Sequence, residues 1–261
     1  MNRLPSLKAS KFQLSSPSHH DSYSVPTDSA LSFSKFASRR IGHAASPHYA
    51  LFAPLHYERN YAYPLVIWLH DDGGSERELR QLMPHISLRN YVAAAARGAK
   101  IDGAGATGYA WRHTPHGASE AAERVRQCID VATGNFSVHA GRMFIAGYGG
   151  GGTMALRLAL QFPEWFAGAV SLGGPMPSGN CPLGRVNTAR RLPLLLASCS
   201  DSASYPQNQV MDDLRLLHSA GFALSLRRYL GEHELTTDML ADMDRWIMEQ
   251  ICSGTLSTAS L

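Results

Sequence analysis

The chain has 261 residues, of which 44% are hydrophobic and 17% charged, and a formal net charge of +3 at pH 7. This length suffices for one α/β domain with a full core, and the composition is ordinary for a globular protein. The small net charge does not indicate the strongly basic surface that binds nucleic acid or anionic membranes, so we expect neither partner.

The first 45 residues differ in composition from the rest of the chain. They are rich in Ser, His and Ala, include the run SSPSHHDSYS and show no sustained apolar period. Such a segment cannot bury enough apolar surface to fold. We predict a disordered tail over 1–45, a domain over 46–253 and a flexible C-terminal tail over 254–261. The adjacent His19 and His20 are interpreted as solvated side chains rather than metal ligands.

The cysteines and the lengths of the apolar runs indicate where in the cell the protein is expected. Four widely spaced cysteines form no C-x-x-C pair and are interpreted as reduced thiols: Cys128, Cys181, Cys199 and Cys252. The N-terminus has no apolar signal core, and no later run is long enough to span a bilayer. These features predict a cytoplasmic location and no membrane span.

Beyond residue 45, short apolar runs alternate with amphipathic stretches, as in a mostly parallel sheet wound with helices. The runs that predict strands are 65–69, 91–93, 143–146, 169–172, 194–197 and a last one near 224–226. Apolar residues at helical spacing predict helices near 121–132, 154–162, 210–217 and 240–251. A further helix is predicted after the first strand, with Ser75 and Glu78 as a capping box.

One strand leads directly into a glycine turn and a helix. The strand ending at Ala146 is followed by G-Y-G-G-G and then by a helix through Leu158. This succession is the context of a nucleophile elbow, whose middle residue needs a strained backbone and whose flanks must be small. Gly147 and Gly151 fill the flanking positions. Gly149 stands in the middle, where G-x-S-x-G would place a serine, so the expected nucleophile is absent.

Two later residues could form the remainder of a catalytic triad. Asp201 follows a strand at the edge where open α/β sheets build their sites, and His233 follows the last strand. The order elbow, acid, histidine is that of α/β-hydrolase triads, in which the acid orients the imidazole and the imidazole acts as base. Asp201 and His233 are therefore a candidate dyad.

From Pro64 to the closing helix the sequence resembles the phospholipase/carboxylesterase family of α/β-hydrolases. The resemblance lies in Leu69-His70 with Gly73-Gly74, Gly147-Tyr148 with 150–153, the segment 162–168, Ser171 to Gly174, and Gly231 to Leu235. It implies an α/β-hydrolase fold, with a mostly parallel central sheet between helices in a three-layer sandwich. It also implies that Asp201 and His233 are triad acid and base, and that the Gly150 and Asp72 N–H groups form the oxyanion hole.

Two positions depart from the family pattern. Asp71 follows His70 where such enzymes often have glycine, and its carboxylate would oppose negative charge near the oxyanion hole unless it points away. The larger departure is Gly149, because glycine has no oxygen to attack a carbonyl. The sequence thus predicts an inactive or very weak esterase, a pseudoenzyme that could still bind an ester, a carboxylic acid or a protein. The alternative is an active carboxylic-ester hydrolase using His233-activated water or an unusual nucleophile such as Thr153, Ser171 or Cys199.

Other kinds of site find little support in the sequence. The spacing of a dinucleotide-binding fingerprint occurs twice, at Gly147, Gly149 and Gly152 and at Gly103, Gly105 and Gly108. The strand after the first set does not end in the acidic residue that would bind a ribose, and the second set is not followed by a helix. The histidines are scattered, so we expect no metal and no cofactor. Tyr109, Trp111 and Trp165 are interpreted as packing residues rather than pocket walls. The sequence assigns no oligomeric state.

Overall fold

The structure, a computed structural model, describes residues 48–101, 108–179 and 183–258. The predicted N-terminal tail with His19 and His20, as well as Gly103, Gly105 and Cys181, lies outside the described residues. None of the described helices combines the length and apolar character that crossing a bilayer requires.

A seven-stranded sheet forms the centre of the domain. Its strands lie in the order β1-β3-β2-β6-β7-β8-β9, and all neighbours are parallel except β1, which pairs antiparallel with β3. The strands are β1 (Tyr49–Phe52), β2 (Tyr63–Leu69), β3 (Val92–Ala96), β6 (Val138–Tyr148), β7 (Gly168–Leu172), β8 (Leu194–Cys199) and β9 (Leu224–Tyr229). Two further strands, β4 (Ala99–Lys100) and β5 (Tyr109–Ala110), form a separate hairpin.

The helices follow the strands in the βα alternation expected from the sequence. They are α1 (Leu79–Ile86), α2 (Pro115–Asn135), α3 (Gly150–Gln161), the short α4 (Val186–Ala189), α5 (Gln207–Ser219) and α6 (Thr237–Thr258). Helix α6 continues past residue 253, where the domain was expected to end.

The two faces of the sheet carry separate apolar cores. Side chains of α2, α3 and α5 pack on one face, and side chains of α1 and α6 pack on the other. Strands β2, β3, β7 and β8 are buried along their whole length, as expected for strands covered by helices on both faces. The predicted three-layer α/β-hydrolase fold is confirmed.

The region after β2 differs in detail from the prediction. A single 3₁₀ turn, Glu76–Glu78, precedes α1, and the Ser75 hydroxyl accepts from the Arg77 N–H rather than from the Glu78 N–H. The Glu78 carboxyl is held in the interior and does not reach back to cap the turn. The capping-box prediction was therefore right about where the helical segment begins and wrong about its bonds.

The register of the sheet places two loops side by side. Strand β2 lies between β3 and β6, and Leu69 is paired with Gly147. Because the two strands are parallel, the chain leaves both at the same edge of the sheet. Asp71 and Gly149 each stand two residues beyond that pair, so they face each other across the crevice where the strand order reverses.

Candidate active site

Gly149 lies at the turn between β6 and α3. Its φ of 53° and ψ of −122° put it in a region that residues with a side chain rarely adopt. Its N–H donates to the Leu172 carbonyl at 2.9 Å, and its carbonyl accepts from the Thr153 N–H at 3.1 Å. The strand, turn and helix thus follow one another with the strained apex that the predicted elbow requires, and Gly149 stands at that apex.

The two glycines beside the apex allow the strand and the helix to approach. A Cβ on Gly147 would meet the backbone of Gly151 and Gly152, and a Cβ on Gly151 would overlap the carbonyl oxygens of Leu69 and His70. These contacts explain the glycine run by packing alone, without a nucleotide.

The Asp71 carboxylate occupies the space beside Gly149. A Cβ added to Gly149 would overlap its Oδ1 and would lie 2.7 Å from its Oδ2. The Gly150 N–H donates to Oδ1 at 2.8 Å. A carboxylate therefore stands where a side chain at position 149 would be, bonded to the first free N–H of α3.

His70 holds the loop that carries Asp71. The ring is fully buried and its Nε2 accepts from the Gly98 N–H at 2.9 Å, so the proton lies on Nδ1, which donates to the Asp71 carbonyl at 2.7 Å. Burial lowers the pKa of His70, which keeps the ring neutral. Trp111 stacks near the ring and donates from Nε1 to the His70 carbonyl at 2.8 Å. These bonds fix the backbone at Asp71.

His233 lies opposite this loop. Its Nε2 is 4.0 Å from Asp71 Oδ2, and its Nδ1 is 3.3 Å from the Ser202 hydroxyl oxygen. Tyr148 stacks on the imidazole with ring centroids 4.9 Å apart. The ring is thus held between a strand end and a carboxylate, with Nε2 turned toward the elbow.

Asp201 lies directly after β8 and is exposed. Its backbone N–H donates to the Gly231 carbonyl at 2.9 Å, which joins the two loops of the candidate dyad. Within the described part of the chain, the side-chain partner of His233 Nδ1 is Ser202, and no hydrogen bond joins the Asp201 carboxylate to the ring. The pairing of Asp201 with His233 stays a prediction.

A cavity of about 520 Å³ opens at this edge of the sheet. Its lining includes Asp71, Asp72, Gly150, Thr153, Arg157 and His233. Among the described residues, its lining does not include Tyr109, Trp111 or Trp165. A second cavity, of about 270 Å³, lies by Tyr63 at the start of β2, on the edge opposite to the one where α/β sheets bind ligands.

Two carboxyl groups, those of Asp71 and Asp72, line the elbow end of the cavity, and the Glu78 carboxyl is buried nearby. Burial, followed by the charge of Asp71, raises the pKa of Asp72. Burial also raises the pKa of the Glu78 carboxyl to about 8, again with a contribution from Asp71.

In the described residues no cluster of His, Cys, Asp and Glu has the arrangement of a metal site.

Glu78 gives the protein a predictable pH dependence. Its pKa is about 8 in the folded protein against 4.5 as the ordinary value. Between these values the folded protein holds a proton that the unfolded chain has released, so the free energy of unfolding falls as pH rises, by up to about 1.4 kcal/mol per pH unit. Glu78→Gln should remove this loss in urea unfolding between pH 5 and pH 8. The control is Glu123→Gln, on the exposed face of α2; equal pH slopes in the native protein and Glu78→Gln would contradict the prediction.

Comparison with known proteins identifies the family. The sequence profile of the Phospholipase/Carboxylesterase family matches residues 109–251, which is more than half of the chain. The chain belongs to the phospholipase/carboxylesterase family. The matched region contains the elbow, Asp201 and His233, whereas Asp71 precedes it.

Two relatives were found by sequence. The candidate esterase NocK of Nocardia uniformis subsp. tsuyamanensis is 31% identical over 138 residues, which are 51% of this chain and 38% of NocK. A candidate carboxylesterase of Oryza sativa subsp. japonica is 24% identical over 213 residues, 71% of this chain and 77% of the relative. The chain therefore spans well under half the length of NocK and about three quarters of the rice protein.

Solved structures show the same fold at low sequence identity. Zea mays acyl-protein thioesterase 2 superposes with a TM-score of 0.63 at 16% identity, covering 77% of this chain and 98% of the thioesterase. The Bacillus cereus carboxylesterase gives a TM-score of 0.61 at 15% identity, covering 77% of this chain and 93% of the esterase. At these identities the likeness shows the fold of this phospholipase/carboxylesterase family member and leaves its activity to the site.

Sequence reasoning missed the role of His70 and left open where the Asp71 carboxylate points. His70 appeared only within a motif, yet it fixes the backbone at Asp71. The Asp71 carboxylate was expected to oppose an oxyanion unless it points away, and the structure places it beside Gly149. The available signal was the combination of a carboxylate at 71 with a residue lacking a side chain at 149.

Proposed function

We propose that this family member lacks the nucleophilic serine and does not hydrolyse esters through an acyl-enzyme, while its cavity binds a small ester or carboxylic acid. One observation carries the proposal. At the apex of the elbow stands Gly149, and the adjoining space holds the Asp71 carboxylate bonded to the Gly150 N–H. Both the attacking oxygen and one oxyanion donor are therefore unavailable for acyl transfer.

The energetic consequence of each change is large. Removal of a triad nucleophile in a serine hydrolase costs about 10⁶-fold in kcat. An N–H group that already bonds a carboxylate cannot stabilise a second negative charge at the same point, and the loss of one oxyanion donor typically costs about 10²- to 10³-fold. The two effects act on the same step.

None of the unusual nucleophiles considered from the sequence is well placed to attack, since two donate structural hydrogen bonds and the third is a buried thiol. Thr153 donates from its hydroxyl to the Pro175 carbonyl at 2.8 Å, and the buried Ser171 hydroxyl donates to the Gly174 carbonyl at 2.7 Å. Burial raises the pKa of the Cys199 thiol, which lowers the fraction of reactive thiolate. These contacts support an interpretation without a substitute nucleophile.

The remaining triad roles are proposed as follows. His233 would be the base and Asp201 the acid that orients it, with the Gly150 and Asp72 N–H groups as the oxyanion donors of an ancestral site. The bond between the Asp201 N–H and the Gly231 carbonyl supports this by bringing the two loops together.

We further propose that the protein is cytoplasmic.

A second candidate function follows from the contact between Asp71 and His233. With Asp71 Oδ2 4.0 Å from His233 Nε2, the imidazole and the carboxylate could together remove a proton from a water that attacks an ester directly. This route would make the protein a slow carboxylic-ester hydrolase without a covalent intermediate.

Hydrolysis of p-nitrophenyl acetate and butyrate separates the two functions. We expect the native protein and His233→Ala to release p-nitrophenol at the same rate, close to the background of the buffer, because neither holds a nucleophile. A native rate well above background that falls in His233→Ala would establish the water route and refute the inactive site. Stoichiometric labelling of the native protein by a fluorophosphonate would instead reveal an unrecognised serine nucleophile.

A further inference from the structure

Arg157 is a buried cation in the wall of the cavity. It lies on α3 and is 5% exposed. Its Nη2 donates to the Ser178 carbonyl at 2.7 Å, and its Nε, out of contact with solvent, has no acceptor among the described residues. Burial lowers the pKa of this guanidinium, and no carboxylate of the described chain offsets the effect.

A second buried arginine of the same domain, Arg97, has the carboxylate partner that Arg157 lacks among the described residues. Arg97 is similarly buried, and both its Nε and its Nη2 donate to the carboxylate of Glu76. Buried charges in proteins are ordinarily paired in this way, because an unpaired buried charge is costly. Arg157 therefore has the properties of a cation whose counter-charge arrives with a ligand.

The position of Arg157 relates it to the elbow. Thr153 and Arg157 are one turn apart on the same side of α3, and both line the cavity together with Gly150. At 1.5 Å per residue, Arg157 lies about 10 Å further along the helix axis than Gly150. The cavity lining thus includes two carboxylates, Asp71 and Asp72, beside Gly149 and Gly150, and a guanidinium carried about two helical turns further along α3.

We propose that Arg157 binds the carboxylate, or a similar oxyanion, of a ligand whose opposite end is neutral or cationic and lies beside Asp71 and Asp72. A guanidinium presents a planar set of N–H donors that matches such oxyanions. A second anionic group at the elbow end would face the two carboxylates. This inference specifies the ligand class of the proposed binding site but does not depend on whether the site hydrolyses esters.

Calorimetric titration of the full chain with four six-carbon probes tests the charge pattern. Hexanoate should bind about 10- to 100-fold more tightly than hexanamide, which has the same shape without the charge. 6-Aminohexanoate should bind more tightly than adipate, because adipate places a carboxylate beside Asp71. Equal binding of hexanoate and hexanamide would overturn the proposal. If inorganic phosphate displaces hexanoate, the natural ligand carries a phosphate. If phosphate does not displace hexanoate, the ligand carries a carboxylate.

Variants assign the effect to Arg157. Arg157→Met should lose the preference for hexanoate over hexanamide, whereas Arg190→Gln, which removes an exposed charge after α4, should keep it. An unchanged preference in Arg157→Met would overturn the proposal. The comparison of probes on the native protein needs no variant and remains decisive if Arg157→Met does not fold. Ester turnover by the native protein would refute the proposed function and leave these binding results intact.

Discussion

Replacing Gly149 by serine and Asp71 by glycine in the same chain is expected to create an esterase. The serine would supply the missing nucleophile, and the second change would free both its space and the Gly150 N–H. We expect p-nitrophenyl butyrate hydrolysis to rise at least about 100-fold over the native protein, a small part of the roughly 10⁶-fold that a triad nucleophile contributes to kcat. Initial rates on folded protein, checked by circular dichroism, measure the gain.

The single changes are the informative controls. Gly149→Ser alone should remain near the native rate, because its side chain overlaps the Asp71 carboxylate. Asp71→Gly alone has no nucleophile and should also remain low. Addition of His233→Ala to the double variant should abolish the gain. If Gly149→Ser alone matched the double variant, Asp71 would not obstruct the site as described.

Gly151→Ala is expected to destabilise the domain more than any surface substitution. The added methyl would overlap the carbonyl oxygens of Leu69 and His70 at the end of β2, and backbone atoms in a buried sheet cannot move aside cheaply. We expect the free energy of unfolding to fall by about 3 kcal/mol, the upper end of the usual cost of overpacking. Urea unfolding followed by circular dichroism measures the difference.

Gly134→Ala is the matched control within another helix. Gly134 lies in the last turn of α2, where an added Cβ meets nothing within 4 Å. Alanine there should leave stability unchanged or raise it by up to about 1 kcal/mol through helix propensity. If Gly151→Ala changed the free energy of unfolding no more than Gly134→Ala does, the strand and the helix would have to separate easily, contrary to the prediction.

The sequence predicted the repeating units of the fold well because their signal is local. The run at 65–69 and the stripe at 121–132 correspond to β2 and α2. The edge strand β1 was not predicted, because its apolar run has only four residues, all partly buried, and so short a run does not distinguish a strand from other structure. The β4–β5 hairpin has two residues in each strand, too few for a periodic pattern.

The sequence offered candidate site residues but could not give their contacts. The elbow glycines and the order of Asp201 and His233 are visible as motifs. The meeting of Asp71 with Gly149 depends on the register of β2 against β6, which brings together residues from distant parts of the chain. The pairing of His233 Nδ1 with Ser202, next to the predicted Asp201, depends on the path of a loop. Side-chain directions in loops have no period that a sequence pattern could reveal.

The contact between Asp71 and Gly149 also imposes an order on evolutionary change. A serine arising at 149 while Asp71 is present would collide with the carboxylate, so it would strain the elbow and bring no activity. A small residue at 71 is therefore needed before a serine at 149 can be useful. By itself, a small residue at 71 supplies no nucleophile and brings no advantage. The two positions are therefore epistatic, because the effect of a serine at 149 depends on which residue stands at 71.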